Sequence, residues 1–191
     1  MQLIFIRHAE KDGHGNHLSR QGELRAEFLP EYLEFPLDDF RAPQIACVMR
    51  RKEGKSQRCC ETMRPTIRTG QLTFHMIPRH RSAKLAQSFV DDRFRDISVV
   101  VCWEHSRIVD MVNIIGGDSV KSWGYEPESP DDDRDCFDAT WVCDMGPRAF
   151  RLRVFRQFDI VDEQPHYWQP RNQVLFEKSY SYDRTSSCSI Q

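Results

Sequence analysis

The stretch LIFIRHAEK, residues 3–11, is an apolar run that passes directly into an arginine, a histidine, a glutamate and a lysine. Leu3, Ile4, Phe5 and Ile6 are mostly β-branched or aromatic and predict a buried strand. A surface turn would usually finish such a strand with Gly, Asn, Asp or Pro. Charge and imidazole stand there instead. Strand C-termini are where α/β proteins build their sites, so Arg7 and His8 read as candidates for chemistry.

Working outward, a second apolar run has the same form. SVVVCW, residues 98–103, ends in Glu104-His105, and a helix follows with Ile108, Val109, Val112 and Ile115 on one face. A third strand, QIACVM at 44–49, leads to KSQRCCETMRP, with Arg58 near the start of a helix. Parallel strands in one sheet would bring His8, His105 and Arg58 to one edge. Ser56 is the predicted cap of the Arg58 helix and Pro65 its limit. A helix from near Ser19 carries Leu24, Phe28 and Tyr32, and Pro30 is expected to kink or end it. Strands are predicted at 72–77, 139–143 and 150–155, and a helix at 82–92.

This alternation predicts a three-layer α/β/α sandwich with a mainly parallel central sheet. The pattern weakens after about Pro165. A catalytic domain is therefore expected over 1–165, followed by a C-terminal extension over 166–191 whose residues 179–191 read as a flexible tail.

The totals narrow the function classes. A chain of 191 residues with 39% hydrophobic content suits one globular domain. A formal charge of −2 gives no electrostatic case for a nucleic-acid partner. No apolar window has the length of a membrane span, and no secretory signal is visible. The seven cysteines form no C-x-x-C pair and no common metal-ligand spacing, as expected of reduced thiols in a cytoplasmic protein. His14, His17, His75 and His80 likewise read as surface residues, and Trp103, Trp123 and Trp141 as core or pocket wall. EGKS at 53–56 imitates the end of a phosphate-binding loop, but Met49 stands where that pattern needs Gly.

Two histidines and two arginines at one edge suit phosphoryl transfer. A neutral imidazole can attack phosphorus, and planar guanidinium forks donate paired hydrogen bonds to phosphate oxygens. Here the chain resembles a known family. IFIRHAEK resembles the Arg-His-Gly-Glu signature of the histidine phosphatase superfamily, also called phosphoglycerate mutase-like. LSRQGELRAEFLP is similar to its Leu-Ser-x-x-Gly-x-x-Arg-Ala helix, and SQRCCET to its Arg-x-x-x-Thr element. VVVCWEHSRIVDMV is similar to its second-histidine strand and helix, and PDDDRDCFDATWVCD to the later segment of small branch-1-type members carrying Trp-Glu-His. The match spans most of residues 1–165.

The resemblance implies a phosphoglycerate mutase-like fold, a nucleophile at His8, phosphate-binding Arg7 and Arg58, and a supporting His105. Ala9 stands where the family has Gly, and Gly54 where it has a Ser. The acid that protonates the leaving group lies among Glu104, Asp91 and Asp92, with Glu104 ranked first. Glu10 and Lys11 either orient the loop or substrate, or are solvated.

The function expected is a metal-independent phosphatase acting on a phosphomonoester through a phosphohistidine, with no cofactor and no metal. A mutase of the same fold and a catalytically weak phosphate-binding module are the alternatives. The substrate would be a phosphorylated small molecule or a phosphoprotein, selected by the loops at 11–17 and 69–96. The chain ends CSIQ, a C-a-a-X-type signal that makes Cys188 a candidate for farnesylation. One such chain would give a mainly cytoplasmic enzyme weak, reversible membrane association.

Overall fold

The computed structural model describes residues 1–13, 15–34, 41–52, 55–91, 96–117, 139–146, 149–166 and 174–181. Strand β1 (Gln2–Arg7) is followed by α1 (Arg20–Glu34), β2 (Ile45–Arg50), α2 (Arg58–Arg68), β3 (Thr73–Pro78) and α3 (Ser82–Val90). Then come β4 (Ser98–Trp103), α4 (His105–Gly116), β5 (Ala139–Met145) and β6 (Ala149–Arg156). The short pair β7 (Asp159–Val161) and β8 (Gln164–His166) precedes β9 (Val174–Ser181).

The main sheet has seven strands in the order β3-β2-β4-β1-β5-β6-β9. The pairs β2–β3, β2–β4 and β1–β4 are parallel, while β5, β6 and β9 continue the sheet antiparallel. β1 and β4 lie side by side, and every residue of both is buried. Layers on both faces explain why their sequences are unbroken apolar runs rather than alternating ones.

Right-handed crossovers account for those layers. The chain steps one way from β1 to β2 to β3, so α1 and α2 share a face and pack together. It then returns from β3 to β4, which puts α3 on the opposite face, where it packs with α4. The result is the expected three-layer sandwich with a mostly parallel sheet.

Both prolines sit inside helices that continue past them: α1 runs to Glu34 beyond Pro30, and α2 to Arg68 beyond Pro65. A proline in a helix interior costs about 3 kcal/mol. Leu29, Tyr32 and Leu33 are buried around Pro30, and each such side chain contributes about 1.5–3 kcal/mol. Packing outweighs the lost hydrogen bond. α4 ends on Gly117 in the left-handed conformation at φ 70°.

Three strands were not foreseen: the short pair β7 and β8, and β9, which borders β6 in the main sheet and takes in residues 179–181 of the predicted tail. Among the described residues, Cys47, Cys59, Cys60, Cys102 and Cys143 are free thiols, and no helix is long and apolar enough to cross a membrane. Trp103 and Trp141 belong to the core. His14, Trp123 and Cys188 lie outside the described residues.

Candidate active site

Helices α1 and α4 leave the adjacent strands β1 and β4 toward opposite faces of the sheet. A crevice therefore opens between the C-terminal ends of those two strands, the place where open α/β sheets bind ligands. Arg7 pairs in register with Trp103, and the His8 N–H donates to the Trp103 carbonyl at 3.2 Å. His8 thus emerges beside Glu104, and His105 opens α4 one residue further on. Arg58 opens α2 after β2, at the same edge.

His8 is 4% exposed, and its Nδ1 lies 2.8 Å from the Ala9 carbonyl oxygen. A carbonyl only accepts, so Nδ1 carries the ring proton and Nε2 keeps its lone pair. Burial pushes the imidazole pKa down to about 3, against the opposing effect of the Ala9 hydrogen bond, and the charges of Arg58, Arg7 and His105 lower it further. All three groups act on His8, so the structure brings together the four residues predicted for the site. The His8 imidazole is neutral and held by its own backbone.

The loop after His8 is fixed from three sides. The Ala9 N–H donates to Thr62 Oγ1 at 2.9 Å, and that hydroxyl donates to the Arg58 carbonyl at 2.8 Å. The Ser19 N–H donates to the Glu10 carbonyl at 3.0 Å, and a Cβ on Gly22 would come within 2.2 Å of the same oxygen. Only glycine lets α1 approach so closely. Ala9 adopts no left-handed backbone, so the family's glycine is not required at that position.

Arg58 donates from Nε to Ser56 Oγ at 2.6 Å. The predicted cap residue instead orients the guanidinium, and Gln57 takes the N-cap position of α2 without a side-chain cap.

Glu10 faces α1 rather than the crevice. Arg25, 5% exposed at its side chain, donates to both Glu10 oxygens, and its Nη1 donates to the Phe158 carbonyl at 2.6 Å. The guanidinium also stacks on the Phe158 ring at 5.1 Å. Lys11 pairs with Leu18 as an isolated antiparallel bridge that closes the base of its loop.

Among the acid candidates, Asp91 follows α3, which starts at the site edge and carries the chain about 13 Å away along nine residues. It is at the wrong end of the sheet. Asp92 lies outside the described residues. Glu104 is at the site edge, where β4 has already ended, so strand alternation no longer aims it at the opposite face. Its Oε2 accepts from Arg51 Nη2 at 2.6 Å and its Oε1 from Arg79 Nε at 2.5 Å, with Arg107 Nε 4.0 Å away.

Ser56, Thr62, Arg25, Arg51 and Arg79 were not read as site residues. Thr62 and Arg25 stand inside the quoted motifs, which was a usable signal. Arg51 and Arg79 had none. Among the described residues no three His, Cys, Asp or Glu side chains converge as a metal site would require.

No family model matches the chain, and no curated protein matches it. Solved structures do. A protein assigned as phosphohistidine phosphatase SixA from Agrobacterium tumefaciens superposes with a TM-score of 0.51 at 15% identity, covering 79% of this chain and 94% of that one. The SixA assigned in Nakamurella multipartitia gives 0.46 at 11%, covering 93% and 94%. A protein histidine phosphatase SixA complexed with tungstate gives 0.46 at 11%, covering 94% and 97%. The chain has the phosphoglycerate mutase-like fold seen in the SixA structure from Agrobacterium tumefaciens.

Proposed function

We propose that the chain is a metal-independent phosphatase that hydrolyses a phosphomonoester through a phosphohistidine at His8. The observation that carries this reading is the His8 ring: neutral, bound through Nδ1 to the Ala9 carbonyl, and set among Arg7, Arg58 and His105 at the sheet's crevice. Nε2 attacks phosphorus in line as the ester P–O bond breaks. Arg7, Arg58 and His105 donate to the three equatorial oxygens as their charge redistributes. The leaving alkoxide takes a proton. Water then breaks the P–N bond, giving inorganic phosphate and the free imidazole.

Glu104 is the proposed proton donor: both its oxygens accept from arginines, so it must release one of them and take up a proton from solvent before it can protonate the leaving alkoxide. Glu10 is assigned to holding the loop through Arg25, and Lys11 to the rim of the site. The enzyme is proposed to work in the cytoplasm, with farnesylated Cys188 as a weak membrane anchor.

Trapping tests the reading. Wild-type protein mixed with an aryl phosphate and excess chelator should turn over and yield an acid-labile phosphoenzyme, and His8→Ala should yield neither. A labelled phosphoenzyme from the His8→Ala variant removes the assignment. Tight phosphate binding without turnover identifies a binding module, and activity restored only by zinc or magnesium identifies a metallophosphatase.

A further inference from the structure

The C-terminal ends of β2 and β3 carry chemistry that the proposed hydrolysis does not use. A cleft of about 720 Å³ opens there, lined among the described residues by Arg50, Arg51, Lys52, Lys55, Arg79 and His80, with Pro78. Five of these side chains are permanently cationic, and none is acidic. The chain as a whole carries a formal charge of −2, so this concentration of positive charge is local. Arg50, Lys52, Lys55, Arg79 and His80 are exposed to solvent.

Parallel strands fix where the cleft lies. β2 neighbours β4 and β3 neighbours β2, all running in one direction, so the cleft continues the crevice that holds His8 and His105. Glu104 joins the two. It immediately precedes the helix that His105 opens, and its carboxylate holds Arg51 and Arg79, one from each wall of the cleft. With only 12% of its side chain exposed, it neutralises one of the five charges and holds two guanidinium groups in place. Among the described residues four remain in excess.

We propose that the cleft is a second anion subsite, and that the substrate is a small molecule bearing a further phosphate group besides the one transferred to His8. The proposal rests on the phosphatase reading of the His8 site. Phosphate is favoured because fixed guanidinium groups donate in pairs to its oxygens, with lysines adding point charges. A small molecule is favoured because the space is a concavity within the usual range for small-ligand pockets, about 300–1,000 Å³. A cleft walled with like charge also concentrates a polyanion.

The test compares hexanediol monophosphate with hexanediol bisphosphate, whose leaving groups are both primary alkoxides of similar basicity, in the full-length wild type and in Lys52→Gln/Lys55→Gln. Wild type should favour the bisphosphate in kcat/KM by at least tenfold, mainly through KM, and the double variant should lose most of that ratio. Calorimetry with inorganic triphosphate and orthophosphate reads the subsite without turnover: triphosphate should bind at least tenfold tighter to wild type, and the gap should close in the variant. Turnover of both substrates with a ratio near one in wild type overturns the subsite. So does an equal effect of the double substitution on both. Faster turnover of an acidic phosphopeptide, with the same dependence on Lys52 and Lys55, replaces the small molecule with a protein substrate. Absent turnover with the triphosphate preference intact shows that the phosphatase reading has failed and the anion site stands alone.

Discussion

Lowering the pH from 7 to 5 should destabilise the wild-type protein more than a His8→Gln variant, because His8 is buried in its neutral form. An unfolded histidine takes up a proton near pH 6.5, whereas folded His8 does so only near 3. Between those values the unfolded chain binds more protons, so stability falls as pH falls through that window and levels off below it. With these two values the His8 contribution at pH 5 is a loss of about 2 kcal/mol relative to pH 7. That is a large share of the 5–15 kcal/mol typical of a domain. Urea unfolding of both proteins at both pH values reads it, since the other groups contribute to each protein and cancel in the difference. The wild type should lose about 2 kcal/mol more than His8→Gln. Equal losses, or a His8 ring signal that titrates near 6.5 by NMR, would refute the neutral, desolvated nucleophile. The same depression keeps the attacking nitrogen unprotonated in mild acid, so the acid limb of the rate profile should not begin at the usual histidine pKa.

Arg58→Ala should lower turnover by about 10²–10³, as removal of one preorganised oxyanion donor does; a kinetic assay showing near-full activity would exclude it from the phosphate site. Glu104→Gln separates the donor role from the anchoring role. Loss of a donor slows an alkyl phosphate more than an aryl phosphate with its better leaving group, whereas loss of the anchor for Arg51 and Arg79 slows both alike. Arg25→Ala removes the buried cation from the half-buried Glu10 carboxylate and should cost about 3 kcal/mol in chemical denaturation, with activity falling as the His8 loop loosens. Intact-mass measurement on protein from a eukaryotic cell tests Cys188: a farnesyl adduct supports the proposed anchor, and an unmodified end rules the lipid out.

The sequence by itself determined the layers and the meeting of His8, His105 and Arg58 at one edge of the sheet. Both depend on local signals: the apolar runs LIFIR and SVVVCW can only be central strands, and a charged residue ending each run has nowhere to go but the sheet edge. Once β1 and β4 are parallel neighbours, His8 and His105 must meet. β9 was less legible because Glu177, Lys178 and Ser179 give it the charged, polar character of an exposed edge strand. Pro30 and Pro65 misled for a related reason, since local propensity yields to burial that only the packed structure supplies.

What tertiary structure alone decided is who pairs with whom. Glu10 and Glu104 have the same carboxylate in equally charged surroundings, yet one grips Arg25 across the loop and the other Arg51 and Arg79 across the crevice. Those partners are 15, 53 and 25 residues away in the chain. No periodicity encodes such distances. They follow from the strand order β3-β2-β4, which gathers the arginines that follow β2 and β3 around the one acid that follows β4.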